Sequence, residues 1–256
     1  MLRARIIPCL LVHRKGLVKT VNFKEGKYVG DPINAVKIFN EKEVDELMII
    51  DIDATVENRG PDFKMIKNVA VECRMPLCYG GGIRTVEDAV RIINLGAEKV
   101  AFSSLAIENP SMLKEIGSVI GLQSVVVVID VKKKKILKGY DIYTHNGKKK
   151  CKLKLIDFLG ELNSIGIGEV VINSIDNDGK MEGYDEELIA FVRDYTDSPL
   201  TVLGGAGNLN DIERLIHKYK VIGAAAGSLF VFKGKYRAVL INYPNREEKS
   251  KLFKTI

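Results

Sequence analysis

Short runs rich in β-branched residues alternate with longer stretches of helical period along the chain. Eight runs read as strands, over 5–12, 47–51, 76–79, 99–102, 124–130, 169–173, 200–203 and 221–225. Between them, seven stretches carry apolar residues at helical spacing: 32–44, 63–73, 85–95, 110–119, 154–165, 185–194 and 209–218. Several of these helices have readable ends. Thr85 precedes Glu87 and Asp88, a hydroxyl ahead of first-turn acids. Asn109-Pro110 supplies a cap residue and a proline for the first helical position, and Gly96 follows Leu95 as a stop.

The run Val125-Val126-Val127-Val128-Ile129 is apolar on both faces, as a parallel strand covered by helices must be. Strand and helix alternate without a proline- or serine-rich linker. This predicts an α/β chain folded as one (β/α)₈ TIM barrel over 1–256. A doubly wound sheet is the competing fold, but no G-x-G-x-x-G follows the first strand. A polar hairpin over 135–143, with a turn at Asn146-Gly147, is expected to project from the barrel top within a basic insert of about 132–152.

Composition narrows the function classes. With 256 residues, 46% hydrophobic and 28% charged, the chain has an ordinary globular make-up and the length of one such barrel. No apolar stretch approaches the roughly 18 residues of a membrane span. The first residues enter a strand without a secretory signal pattern, so a cytoplasmic protein with no membrane partner is expected. Cys9, Cys73, Cys78 and Cys151, like His13, His145 and His217, lack ligand spacing; no metal and no cofactor are expected. The net charge of +6 is concentrated in lysines at 132–135, 138, 148–150, 152 and 154, with Asp141 as the one acid among them. Without interleaved aromatics or a recognition motif, these favour a solvated hairpin or a cover for an anionic substrate over nucleic-acid binding.

A layout then recurs. Met48-Ile49-Ile50-Asp51-Ile52-Asp53, Tyr79-Gly80-Gly81-Gly82 and Ser103-Ser104-Leu105 are echoed by the run from Val170 to Asp178, by Leu203-Gly204-Gly205-Ala206-Gly207 and by Gly227-Ser228-Leu229. Gly80 to Gly204 and Ser104 to Ser228 share an offset of 124 positions. The repeat suggests two half-barrels, about 1–120 and 121–256. Reactive groups of such barrels cluster at the C-terminal ends of strands. Asp51, Asp130 and Asp176 fall there, placed as general acids or bases or as acceptors for a polyol; the structural alternative is capping of the following loop. Glycine lets backbone N–H groups approach an oxyanion, and a following serine can complete the cradle. Gly81 and Gly82 with Ser103 and Ser104, and Gly205 and Ala206 with Gly227 and Ser228, make two candidate phosphate sites for a substrate with an anion at each end.

Arg5-Ile-Ile-Pro-Cys-Leu10, Gly80-Gly-Gly-Ile-Arg84, Gly96-Ala-Glu-Lys99-Val, Glu108-Asn-Pro110, Ser174-Ile-Asp-Asn-Asp-Gly179 and Gly204-Gly-Ala-Gly207 resemble the cyclase subunit of imidazole glycerol phosphate synthase, from residue 1 to about 230. The resemblance implies a lyase-type barrel fed with ammonia by a glutaminase subunit docked at its bottom. It implies an ammonia gate of alternating charges, which falls on Arg5, Glu46, Lys99 and Glu169, and a substrate-binding role for Lys19. It also implies an acid/base pair of aspartates at the ends of the first and fifth strands. The second is Asp130; the first falls on Leu11, which cannot transfer a proton. Loss of one such group typically costs about 10²–10⁴ in rate.

The aromatic-rich, strand-like segment 230–244 departs from the cyclase pattern too. Together with Leu11 it looks like a paralogous branch linked to acetamidino-sugar formation in surface-polysaccharide biosynthesis. There, barrel and glutaminase serve an amidotransferase that acts on an N-acetyl sugar. Three readings follow. The first is an ammonia-channelling subunit for sugar amidation, with a sugar amidotransferase as a further partner. The second is an authentic cyclase of histidine biosynthesis, releasing imidazole glycerol phosphate and the aminoimidazole ribotide. The third is a phosphosugar isomerase on the same barrel, which the charged ring and Leu11 disfavour.

Overall fold

The structure is a computed structural model that describes residues 3–136 and 138–253. Eight parallel strands close into a barrel: Arg5–His13, Leu47–Asp51, Leu77–Gly80, Lys99–Phe102, Val125–Lys133, Glu169–Ser174, Leu200–Leu203 and Gly223–Ala226. The eighth pairs back onto the first, Arg5 opposite Gly223 and Pro8 opposite Ala226. Helices Pro32–Glu41, Phe63–Glu72, Val86–Asn94, Ser111–Ile120, Leu155–Ile165, Glu186–Arg193 and Leu209–Tyr219 cover the outside. The fold is the expected (β/α)₈ barrel.

Alternation along the strands creates two apolar layers. One lies between sheet and helices and holds most of the core, including Ile6, Leu10, Leu47, Ile49, Val127 and Ile129. The other fills the barrel axis with Ile7, Cys9, Met48, Cys78, Ala101, Val126, Val171, Leu203 and Ala225, continued upward by half-buried Leu11, Ile50 and Val128. No helix among the described residues is long and apolar enough to cross a membrane.

Local signals held with small shifts. Thr85 and Asp88 form a reciprocal capping box, and Asn208 with Asp211 forms a second. Gly96 lies past the third helix at φ +110, a conformation its missing Cβ permits. Pro110 is the N-cap rather than the first helical residue, and the Asn109 carboxamide accepts from the Ser111 hydroxyl. The expected strand over 76–79 begins one residue later.

Three regions differ from the expected pattern. Gly16–Val21 and Lys24–Gly30 form a hairpin on the first barrel strand. The basic insert is a hairpin of Tyr140–Thr144 and Lys149–Lys154 on the extended fifth strand, so only the last part of 135–143 is strand. Its turn does fall at 145–147, where three successive residues have positive φ. The 230–244 tail contains only a two-residue pairing, Phe232–Lys233 with Ala238–Val239, followed by the helix Arg246–Phe253. That tail returns to the barrel bottom: the Tyr243 hydroxyl donates to the Ile6 carbonyl at 2.9 Å, and Lys249 meets Asp45 at 3.0 Å.

Register refines the repeat. Ser104 and Ser228 each open a short helix, 124 positions apart. The glycine turns match 123 apart instead. Gly81 and Gly82 (φ +116 and +74) correspond to Gly204 and Gly205 (φ +92 and +116), whereas Gly80 ends its strand as Leu203 does. Phe102 pairs with Val127, and Ala226 pairs with Pro8. Three residues further along those strands stand Asp130 and Leu11, so the two occupy matching places at the barrel mouth.

Candidate functional site at the two ends of the barrel axis

At the N-terminal ends of the strands, Arg5, Glu46, Lys99 and Glu169 form a closed ring. Arg5 donates to Glu46 and, at 2.8 Å, to Glu169; Lys99 bonds Glu46 at 2.9 Å and Glu169 at 2.8 Å. The Thr201 hydroxyl adds a further donor to Glu169. Burial alone would push Arg5 and Lys99 toward their neutral forms, but the two carboxylates outweigh it and raise both pKa values. Burial would likewise raise Glu169; Arg5 and Lys99 overcome it and hold that carboxyl below its ordinary range. Cys78 lies above the ring and Cys9 higher on the axis. Both thiols are pushed up by burial, Cys9 to about 11, so they line the axis as neutral groups.

At the opposite end a cavity of about 510 Å³ opens between the strand ends. Leu11, Asp51, Gly80, Gly81, Gly82, Ser103, Ser104 and Asp130 all line it. The first glycine–serine cluster therefore converges on one space with Asp130, and the short helix at Ser104 begins there. His145 and Asn146, from the insert's turn, line it too; the Asn146 amide donates to the Ile52 carbonyl at 2.9 Å and ties that turn across the mouth.

Asp130 is enclosed by protein and reached by solvent through the cavity. Burial pushes its pKa up to about 7; the Asn173 amide, at 2.8 Å, works against this and nearby Asp178 adds to it. A carboxyl tuned there can both give and take a proton near neutrality. Asn173 Oδ1 is buried and has no hydrogen-bond partner among the described residues. Asp178 is also raised by burial, with Lys19 opposing the shift and the Thr20 hydroxyl bonded at 3.3 Å. Lys19 is buried, its ammonium against Gly227, where a Cβ would collide with it.

The other candidates sit differently. Asp51 accepts two bonds from the Arg59 guanidinium, at 2.8 and 2.9 Å, and others from the backbone of Asp53 and Ala54. Its lone pairs are committed to holding its own loop. Asp176 lies two residues beyond its strand and accepts from the Lys133 backbone at 2.8 Å, tying the insert to the loop. The second glycine cluster is closed over. Gly205 accepts from Gly183 at 2.8 Å, Gly204 packs on Asn173 and Ser174, and Ala206 and Ser228 are buried. Gly205, Ala206, Gly227 and Ser228 are absent from the lining of the 510 Å³ cavity.

A family model for histidine biosynthesis proteins matches residues 5–237. The chain belongs to this family. A Vibrio vulnificus protein provisionally named imidazole glycerol phosphate synthase subunit hisF3 is 56% identical over 251 residues, covering 98% of this chain and 96% of the relative. A Pseudomonas aeruginosa protein, provisionally named subunit hisF2 of the same synthase, is 48% identical over 96% of this chain and 97% of its own. The imidazole glycerol phosphate synthase subunit HisF of Natranaerobius thermophilus is 37% identical over 95% of this chain and 96% of its own. The chain is thus a homologue of the HisF subunits, as its motifs implied.

At the two strand ends where the resemblance implies a pair of aspartates, the mouth just described carries Asp130 and Leu11. Leu11, paired with Ile50 and Val18, makes that side of the cavity apolar. Asn173, Asp178, Arg59 and His145 were not singled out from sequence. Asp178 shares its motif with Asp176, and Asn173 stands opposite Asp130 in register. Those two signals were available; Arg59 bonds Asp51 within one loop, eight positions apart, and neither it nor His145 belongs to a spacing that marks a site.

Proposed function

We propose that this chain is the barrel subunit of a glutamine-dependent synthase of the imidazole glycerol phosphate synthase type. It takes ammonia at the charged ring from a glutaminase partner and uses it in the cavity at the other end. The observation that carries the reading is the pairing of a closed four-charge ring with an apolar axis that ends at a cavity lined by Asp130 and a glycine–serine cluster. Neutral ammonia suits such an axis, whereas an ammonium ion stripped of water costs several kcal/mol to bury. In the cavity, backbone N–H groups of Gly81 and Gly82 and the Ser103–Ser104 turn hold a substrate phosphate, and Asp130 moves protons. We assign Asp51 and Asp176 to holding the loops around the site. Gly205, Ala206, Gly227 and Ser228, with Lys19 beside them, form the second anion site once the hairpin at 16–30 shifts.

Leu11 favours a second reading, in which the ammonia goes to another acceptor, such as an N-acetyl sugar bound to its own amidotransferase. The names of the relatives favour the first reading. The deciding experiment supplies ammonium and the aminated ribulosyl phosphoribosyl precursor and follows imidazole glycerol phosphate. Turnover at a rate usual for a cyclase supports the synthase. Absence of product, combined with stimulation of a co-purified glutaminase by this chain, transfers the ammonia to the other acceptor. A glutaminase neither bound nor stimulated refutes both.

A further inference from the structure

A second cavity, about 530 Å³, lies on the outer side of the basic hairpin and shares no lining residue with the mouth. Its charged wall has a periodic origin. Lys150, Lys152 and Lys154 are exposed and alternate with half-buried Cys151 and Leu153 along one hairpin strand, whose pairing is irregular between Lys150 and Lys154, and all three lysines line the cavity. Lys134 and Lys138 approach from the end of the fifth barrel strand. Among the described lining residues Asp141 is the one acid, and Asp185 stands behind the Tyr140 hydroxyl that it bonds. Asp141 meets Lys150 at 2.7 Å and Lys134 at 4.0 Å. Lys152 and Lys154 make no ion pair among the described residues, and nearby Glu187 is engaged by Lys133.

The lining also holds apolar and aromatic side chains. Leu155 and Ile156 open the helix Leu155–Ile165, which has no side-chain cap, and Phe191 stands 5.9 Å from the Tyr140 ring. Positive and aromatic groups lining one cavity suit a flat ring that carries more than one phosphate. Its volume lies in the range of small-ligand sites. Multiple lysines around one centre suit a doubly charged group, and Phe191 offers a face to a base.

We propose that this cavity binds a nucleoside diphosphate, with the diphosphate among Lys138, Lys152 and Lys154 and the base against Phe191. It is separate from the chemistry at the barrel mouth and stands or falls apart from it.

The test is calorimetric titration of the full chain with ADP, UDP, AMP and inorganic pyrophosphate at about physiological salt, where non-specific pairing is screened. Saturable binding of the nucleoside diphosphates with Kd below about 1 mM is expected. Replacing Lys138, Lys152 and Lys154 together by Gln should weaken it at least about tenfold. Phe191→Ala should abolish the preference for ADP and UDP over pyrophosphate. These lysines are exposed, so thermal melting should show the triple variant folded. Absence of saturable binding overturns the proposal. So does unchanged affinity in the triple variant, which would place the nucleotide at the barrel mouth, and so does equal affinity of the wild type for all four anions, which would mean charge attraction alone.

Discussion

Replacing Arg5 by Met opens the charged ring at one corner and leaves two carboxylates that are only 3% and 4% exposed facing a single lysine. Removing one partner from a buried ion pair typically costs 3–5 kcal/mol. Here Lys99 still contacts both acids and Arg5 itself keeps about a fifth of its side chain in solvent, so the lower end, about 3 kcal/mol, applies. At about 2.1 cal/mol/K per residue, the unfolding entropy of this chain is near 0.5 kcal/mol/K, and the melting temperature should fall by about 6 °C. The pH dependence has a definite sign. Glu169 is held below its ordinary pKa in the fold, so its contribution is present above the unfolded value, about 4.3. It is lost as pH falls through the lower folded value. The Arg5→Met penalty should therefore be full at pH 7 and shrink in acid. Calorimetric melts of wild type, Arg5→Met, Glu169→Gln and the double variant complete a cycle. The double variant should be less destabilised than the sum of the singles, because each single strands an opposite charge. Strict additivity, or a penalty growing in acid, would refute the ring as an energetic unit.

Asp130 gives a prediction of opposite sign. Its pKa near 7 lies above the unfolded value, so the folded state loses stability as pH rises from about 4 to 7. Asp130→Asn should raise the melting temperature at pH 8 by the equivalent of about 2 kcal/mol, discounted for solvent in the cavity, and change nothing near pH 4. Equal melts at both pH values would mean an ordinary carboxyl. Leu11→Asp should raise ammonia-dependent formation of imidazole glycerol phosphate by about 10² or more, read from steady-state rates; a folded variant with no gain would show that more than this carboxyl is missing. Gly81→Ala combines φ +116 with a Cβ driven into the Asp51 carbonyl and should cost about 3 kcal/mol or more. Gly166→Ala, at φ +77 with nothing within 4 Å, should cost about 1–2 kcal/mol by denaturant melts, and equal costs would refute the crowding argument.

The barrel was readable because its strands are apolar on both faces and its helices have legible ends, as at Thr85 and Gly96. Such signals are local, and local signals survive in a single sequence. The hairpin at 16–30 was not readable: Lys24-Glu25-Gly26-Lys27-Tyr28 is exposed throughout and shows no apolar alternation. It is held instead by distant partners, Asn22 bonding the carbonyls of Ile175 and Asp176. The four ring residues were recognised by resemblance, and their spacing of 41 to 164 positions carries no periodic signal.

The same distinction explains why the repeat in the sequence overstates the symmetry of the mouth. Both glycine turns adopt positive φ, and that much follows from composition. What separates them is brought in from elsewhere. Arg59 neutralises Asp51 beneath the first turn and leaves Gly81, Gly82 and Ser104 open to the cavity. On the second side, Lys19 arrives with the hairpin and the loop 174–183 closes over Gly205. The hairpin is pinned there by contacts of Thr20 and Asn22 with that loop, so opening the second site proposed above requires breaking them. A substrate phosphate that recruits Lys19 would supply the energy to do so, and the first site needs no such change. Binding should therefore begin at the Gly81–Ser104 side, with the second end of the substrate engaged only as the hairpin moves.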